Sequence, residues 1–396
     1  MRSCRNVSVA MAGAAGLHTV TTKLQTGYGQ VASGLTGHAL WSSTTSYSSG
    51  AVVAYNGVVY TSTLAGTNTN NFGPPPNYPT DWAGPGSGGG ATHYAYVTNS
   101  GSNTITPINL STNTAGTAIA VGSKPWAIAI TPNGVTAYVT NEGSNTVTPI
   151  TLATNTAGTG IAVGAQPEGI AITPDGTKAY VVNNGSNSVT PITIATNTAG
   201  TAIALPSCTP GCGNPIAIAI TPNGVTAYVT NQVSGGGIWP ITLATSTVGA
   251  KISASGPDFE GIAITPDGTT AEVVAVGSSG PGALTPIATA TNTAGSGVNP
   301  LGNGPEGIAI TPNGTTAYVA NWGSNNVLPI TLATNTVGTA IAVGNSPYGI
   351  AITSDGTTAY VTNQTSNSVT PITVATNTAG TAITVGSTPL GIAITP

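Results

Sequence analysis

Charge is what this 396-residue chain lacks most: Asp, Glu, Lys and Arg make up only 4% of it, against about 25% in ordinary soluble domains. Its six Lys and Arg form no basic cluster, and ten Asp and Glu leave a net charge of −4. Electrostatic nucleic-acid binding therefore has no support. Disorder is excluded as well, because it needs low hydrophobicity together with high net charge, whereas 39% of the residues are hydrophobic. With so few groups to titrate, stability is expected to change little with pH.

Long apolar runs are missing too, and no stretch of the sequence approaches the ~18 residues that a membrane helix needs. Arg2 and Arg5 precede a mildly apolar stretch of small residues from Val7 to Leu17, with no clean cleavage pattern after it. Residues 1–38 thus read as a flexible start, with a poor export signal as the alternative. Histidine is scarce: His18, His38 and His93 all lie before the first repeated tyrosine strand. Haem, copper and His-held zinc have no ligands beyond that point, and a histidine general base is missing. No Gly-x-Ser-x-Gly elbow sits between a strand and a helix. No catalytic residue, metal or cofactor is therefore predicted. Of the three cysteines, Cys4 stands alone, while Cys208 and Cys212 share the turn-rich stretch from Pro206 to Pro215. A disulfide pinning this loop would suit an exported protein, and two free thiols are the alternative.

What fills the space is repetition. From Tyr96 onward one unit recurs, clearest in its third copy. That copy runs Gly169-Ile-Ala-Ile-Thr, a Pro174-Asp175-Gly176 turn, Ala179-Tyr180-Val181-Val182-Asn183, Ser188-Val189-Thr190-Pro191-Ile192-Thr193-Ile194, and Gly200-Thr-Ala-Ile-Ala. Short β-rich runs bounded by turn residues describe four strands joined by hairpins. Tyr96, Tyr138, Tyr180, Tyr228, Glu272, Tyr318 and Tyr360 mark seven copies at spacings of 42 to 48 residues. A fixed period of this length signals a solenoid or a propeller. The first copy lacks its leading strand, and Gly391-Ile392-Ala393-Ile394-Thr395 supplies an orphan one. Complementary ends of this kind suit a closed ring, which removes open sheet edges. The fold class expected is all-β: a seven-bladed β-propeller over residues 92–396, its first blade completed by the C-terminal strand. The proline in every third strand (Pro107, Pro149, Pro191, Pro240, Pro286, Pro329, Pro371) predicts a bulge or a locally unpaired carbonyl there.

The Tyr-Val-Thr-Asn strands at Tyr96, Tyr138, Tyr228 and Tyr360, with the Pro167 to Gly176 pattern, resemble the YVTN-repeat propellers, a family rich in surface-layer and secreted proteins. Residues 85–91 form a Gly/Ser/Pro tether. Before it, residues 39–84 carry Trp41, Tyr47, Tyr55-Asn56-Gly57, Tyr60 and Trp82, where the Asn-Gly pair predicts a hairpin. This spacing resembles the small carbohydrate-binding modules of chitinases and similar modules of phage tail proteins. The resemblance implies sugar-stacking aromatics after the second hairpin strand, yet Thr61 to Gly66 holds none. Trp41, Tyr55, Tyr60 and Trp82 read rather as the small core.

The remaining candidate site is a ring. Just before each first strand one residue varies: Trp126, Glu168, Ile216, Glu260, Glu306, Tyr348 and Leu390. In a propeller these positions surround one mouth of the central channel, where Trp126, Glu168, Glu260, Glu306 and Tyr348 could bind a cation or a sugar. A second variable series, Ser100, Glu142, Asn184, Gln232, Val276, Trp322 and Gln364, follows the Asn of each second strand. The residues argue more for binding than for catalysis. The function expected is a non-catalytic extracellular or cell-surface protein, its propeller a display platform and its partner a polysaccharide or cell-envelope glycan. Two alternatives stand beside it: a secreted lactonase or glycan lyase using the mouth glutamates, by analogy of fold alone, and a phage tail component.

Overall fold

The computed structural model describes residues 93–396 apart from 207–212, 233–235, 255, 257 and 278–279, together with the backbone of six strands ahead of residue 93. The chain divides into two compact units, Met1–Ala91 and Thr92–Pro396. In the first, Asn6–Gly13 pairs antiparallel with Gly16–Lys23, within the stretch read from sequence as a flexible start or export signal. Val52–Tyr55 and Val58–Ser62 pair around Asn56-Gly57 as the hairpin expected there. Ala39–Leu40 adds in parallel on one side and Trp82–Ala83 antiparallel on the other. Cys208 and Cys212 lie outside the described residues.

The second unit is the seven-bladed propeller. Blade three shows the pattern: Pro167–Ile172, Lys178–Asn183 and Ser188–Thr193 pair in antiparallel order from the axis outward. The seven innermost strands each contact the next around a closed ring. Pro389–Ile394 pairs with Tyr94–Asn99, so the C-terminal strand completes blade one as predicted. Large and small side chains alternate because each sheet is covered on both faces by its neighbours. The core is accordingly split into seven apolar layers, one per blade interface. Between blades two and three, for example, Tyr138, Val147 and Ile161 pack on Ile170, Val181 and Ile192.

The fourth strand differs from the continuous run expected. In five blades it is two fragments, such as Thr198–Ala199 and Ile203–Ala204, both paired with the third strand; in blades four and five an isolated bridge replaces the second fragment. Pairs Ile192↔Ala199 and Val189↔Ile203 leave one extra residue on the outer chain, a bulge opposite Pro191. Pro191 has no N–H to offer that side, and its carbonyl accepts the Gly200 N–H at 2.7 Å. The same glycine-to-proline bond recurs in all seven blades, so the bulge is realised and none of these seven carbonyls goes unpaired.

Candidate functional site

Each first strand carries a second bulge, toward the axis. In blade three Pro167 faces Asn183 and Ile170 faces Val181, so Glu168 and Gly169 together oppose Val182 alone. The shift recurs in all seven blades. Such bulges re-aim a side chain without ending the strand. The variable residues read from sequence as lying just before each first strand therefore sit inside it. In six blades proline keeps register with the facing asparagine, and in blade five Phe259 with Ala275, so in blade three the strand begins at Pro167, two residues earlier than expected. Five of the seven residues that follow are glycine; a Cβ on Gly169 would stand 2.5 Å from the Ile216 carbonyl of the next blade.

The threonine of Tyr-Val-Thr-Asn fastens this bulge. Thr140 Oγ1 accepts the Ala127 N–H of its own blade at 2.9 Å and donates to the Glu168 carbonyl of the next at 2.6 Å. Thr98, Thr230 and Thr362 make the same two contacts at their interfaces. Backbone at the mouth is thus held by hydroxyls whose role nothing in their local sequence reveals.

The five predicted site residues meet at one mouth. Trp126 and Tyr348 touch edge to face, ring centroids 5.9 Å apart and planes at 89°, a favourable aromatic geometry. The Tyr348 hydroxyl is held well above its ordinary value, first by burial and then by the charges of Glu306, Glu260 and Glu168, with a Trp126 hydrogen bond opposing. Glu168 and Glu260 are only 8% and 4% exposed. Burial, reinforced by Glu142 and Glu260, pushes the Glu168 carboxyl up to about 8. Burial likewise raises Glu306 to about 8, with Glu260 adding, and Glu260 to about 7 against a Gln232 hydrogen bond. Desolvation disfavours the charged form of each.

The second variable series lines the same face. Asn184 Nδ2 donates to Glu168 Oε2 at 3.4 Å. A cleft of about 530 Å³ is walled by Glu260, Glu306, Gln232, Val276 and Trp322. Trp322 is 44% exposed and donates its indole N–H to Gln364 at 2.9 Å. Another cleft, of about 540 Å³, lies at the outer rim between blades seven and one, beside Tyr360 and Asn113, away from these groups. Among the described residues no group of three or more His, Cys, Asp or Glu is placed to hold a metal ion. Asp175, Asp267 and Asp355 serve their turns, each accepting hydroxyl and backbone N–H bonds from neighbouring threonines. In the N-terminal unit Tyr55, Tyr60 and Trp82 lie on the paired strands, while Trp41 and Tyr47 lie outside the described residues.

Comparison with solved structures finds the same architecture elsewhere. A chain of Kuenenia stuttgartiensis hydrazine synthase is 22% identical with a TM-score of 0.66, covering 74% of this chain and 94% of that one. A functionally unknown protein from Desulfotomaculum acetoxidans DSM 771 is 17% identical with a TM-score of 0.65, covering 76% and 98% respectively. Both likenesses concern the fold. No curated protein matches the sequence. A family model described as YNCE-like beta-propeller matches residues 81–395, the span that holds all seven blades and every residue of the mouth. With its repeats, its ring closure and that match in agreement, the chain belongs to the YNCE-like β-propeller family.

Proposed function

We propose that this is a non-catalytic binding protein of the cell surface or extracellular space, which takes a glycan of the cell envelope at the channel mouth of its propeller. The observation that carries this reading is the convergence of Trp126, Tyr348 and three glutamates on one opening of the ring. Aromatic faces beside hydrogen-bonding carboxyls and amides are what a sugar ring asks of a site: one apolar surface to stack on and polar groups around it. The near-identical blades supply a rigid frame, and the sparsely charged surface suits display outside a cell. The N-terminal unit is an accessory carbohydrate-binding module in this reading, its hairpin built around Asn56-Gly57. A lactonase or glycan lyase using Glu168, Glu260 and Glu306 around a metal finds less support, because among the described residues these carboxyls do not form a group that could hold a metal ion. The likeness to hydrazine synthase adds no activity at its level of identity.

A pulldown on insoluble polysaccharides and envelope fractions tests the proposal. The full chain should be retained on at least one of them, and Trp126→Ala should weaken retention by about tenfold or more. Retention on none, or equal retention of the variant, would contradict it.

A further inference from the structure

The mouth has two chemically distinct walls. In ring order from blade one its residues are Leu390, Trp126, Glu168, Ile216, Glu260, Glu306 and Tyr348. Blades seven, one and two therefore present an aromatic and aliphatic wall, and blades three, five and six an acidic one. The walls face each other closely enough for all three carboxylates to act on the Tyr348 hydroxyl. Glu260 forms part of the cleft wall beside Glu306, yet it is 4% exposed and its Oε2 has no hydrogen-bond partner. What bears on the three carboxyls is burial, neighbouring carboxylates and one amide apiece for Glu168 and Glu260; no basic group is among these influences. A buried carboxyl oxygen left without a partner, as Glu260 Oε2 is, is costly, and an incoming cation removes that cost.

We propose that the mouth is a receptor for an ammonium group, seated among Glu168, Glu260 and Glu306 with its adjoining carbon skeleton against Trp126 and Tyr348. This rests on the reading of the mouth as a binding site and narrows its ligand. An ammonium donates three hydrogen bonds in divergent directions, which suits carboxyls spread over three blades better than a compact metal would. The aromatic wall adds cation–π attraction on the opposite side. Anionic ligands are repelled, and neutral ones leave the Glu260 oxygen unpaired. Two sources carry this chemistry, an amino sugar of a glycan and an aliphatic diamine.

Calorimetric titration of the full chain near neutral pH tests this with three probes: the glucosamine tetramer, its N-acetylated counterpart and cadaverine. At least one cationic probe should bind about tenfold or more tighter than the N-acetylated tetramer, and the tighter of the two names the source. Binding should weaken as ionic strength rises, and cadaverine, already fully protonated at this pH, should release protons on binding, because a cation favours the ionised carboxyls. Glu260→Gln should abolish the preference for the cation while leaving the melting temperature unchanged or raised. Should that variant fail to fold, salt dependence and proton release on the native chain decide alone. Equal or tighter binding of the N-acetylated tetramer overturns the inference while leaving the glycan reading intact. Binding of none of the three probes overturns it too, and the envelope pulldown then judges the broader reading separately.

Discussion

In five of the seven blades the repeated tyrosine is a bolt between blades. Tyr138 is 1% exposed and donates its hydroxyl to Asn197 Oδ1 of the next blade at 2.6 Å. Tyr96, Tyr228, Tyr318 and Tyr360 do the same to Asn155, Asn292, Asn377 and Asn113. Each of these asparagines sits in a left-handed turn, with φ between 51° and 55°, a conformation asparagine tolerates better than most residues. Blade five breaks the rule with Glu272, 4% exposed, one oxygen unpartnered, and pushed up to about 7 by burial. Asn335, at φ 53°, holds the matching turn in blade six. Glu272→Tyr should therefore restore the bolt and raise stability by about 1–2 kcal/mol in urea unfolding. A lower stability would show that blade five is shaped around the carboxyl. The tyrosine's periodicity was plain in the sequence; its partner, some sixty residues onward in another blade, was not, because no local pattern links the two.

At the scale of the strand, two bulges set the shape of every blade. The outer one follows from proline and glycine and was half legible: a missing N–H announces itself in sequence. The inner one had no such signal, because it arises from the register between two strands. Glycine after the mouth residue is its trace, since two adjacent first strands approach too closely there for a side chain in most blades. Gly169→Ala places a Cβ 2.5 Å from the Ile216 carbonyl and should cost about 1–3 kcal/mol, read as a lowered midpoint in chemical denaturation. An unchanged midpoint would mean that the blades can part at this point. Ala127 and Ala217 occupy the equivalent positions in blades two and four, and nothing in the structure explains why those two interfaces accept the larger residue.

For the whole molecule, burial reverses an expectation drawn from composition. Few groups titrate, yet Glu168, Glu260, Glu272 and Glu306 do so at about 7 to 8 because the fold removes them from water. The folded chain then holds protons that the unfolded chain, with ordinary carboxyls, has already lost above about 4.5. Stability must fall as pH rises through that window and level off above about 8. Thermal melts should give a midpoint several degrees higher near pH 5 than near pH 9. Glutamine at all four positions should flatten the profile, and a native profile already flat would contradict the burial described. Repeat count, blade composition and the strand that closes the ring were determined by the sequence itself, since each is written as a spacing or a hydrophobic pattern along one chain. The mouth residues too were legible as one variable position per repeat, whereas how closely they approach, what fastens them and how far their acidity moves were decided only by the tertiary structure. Those properties depend on distances between residues tens to hundreds of positions apart, and on water excluded by neighbours that no single repeat contains.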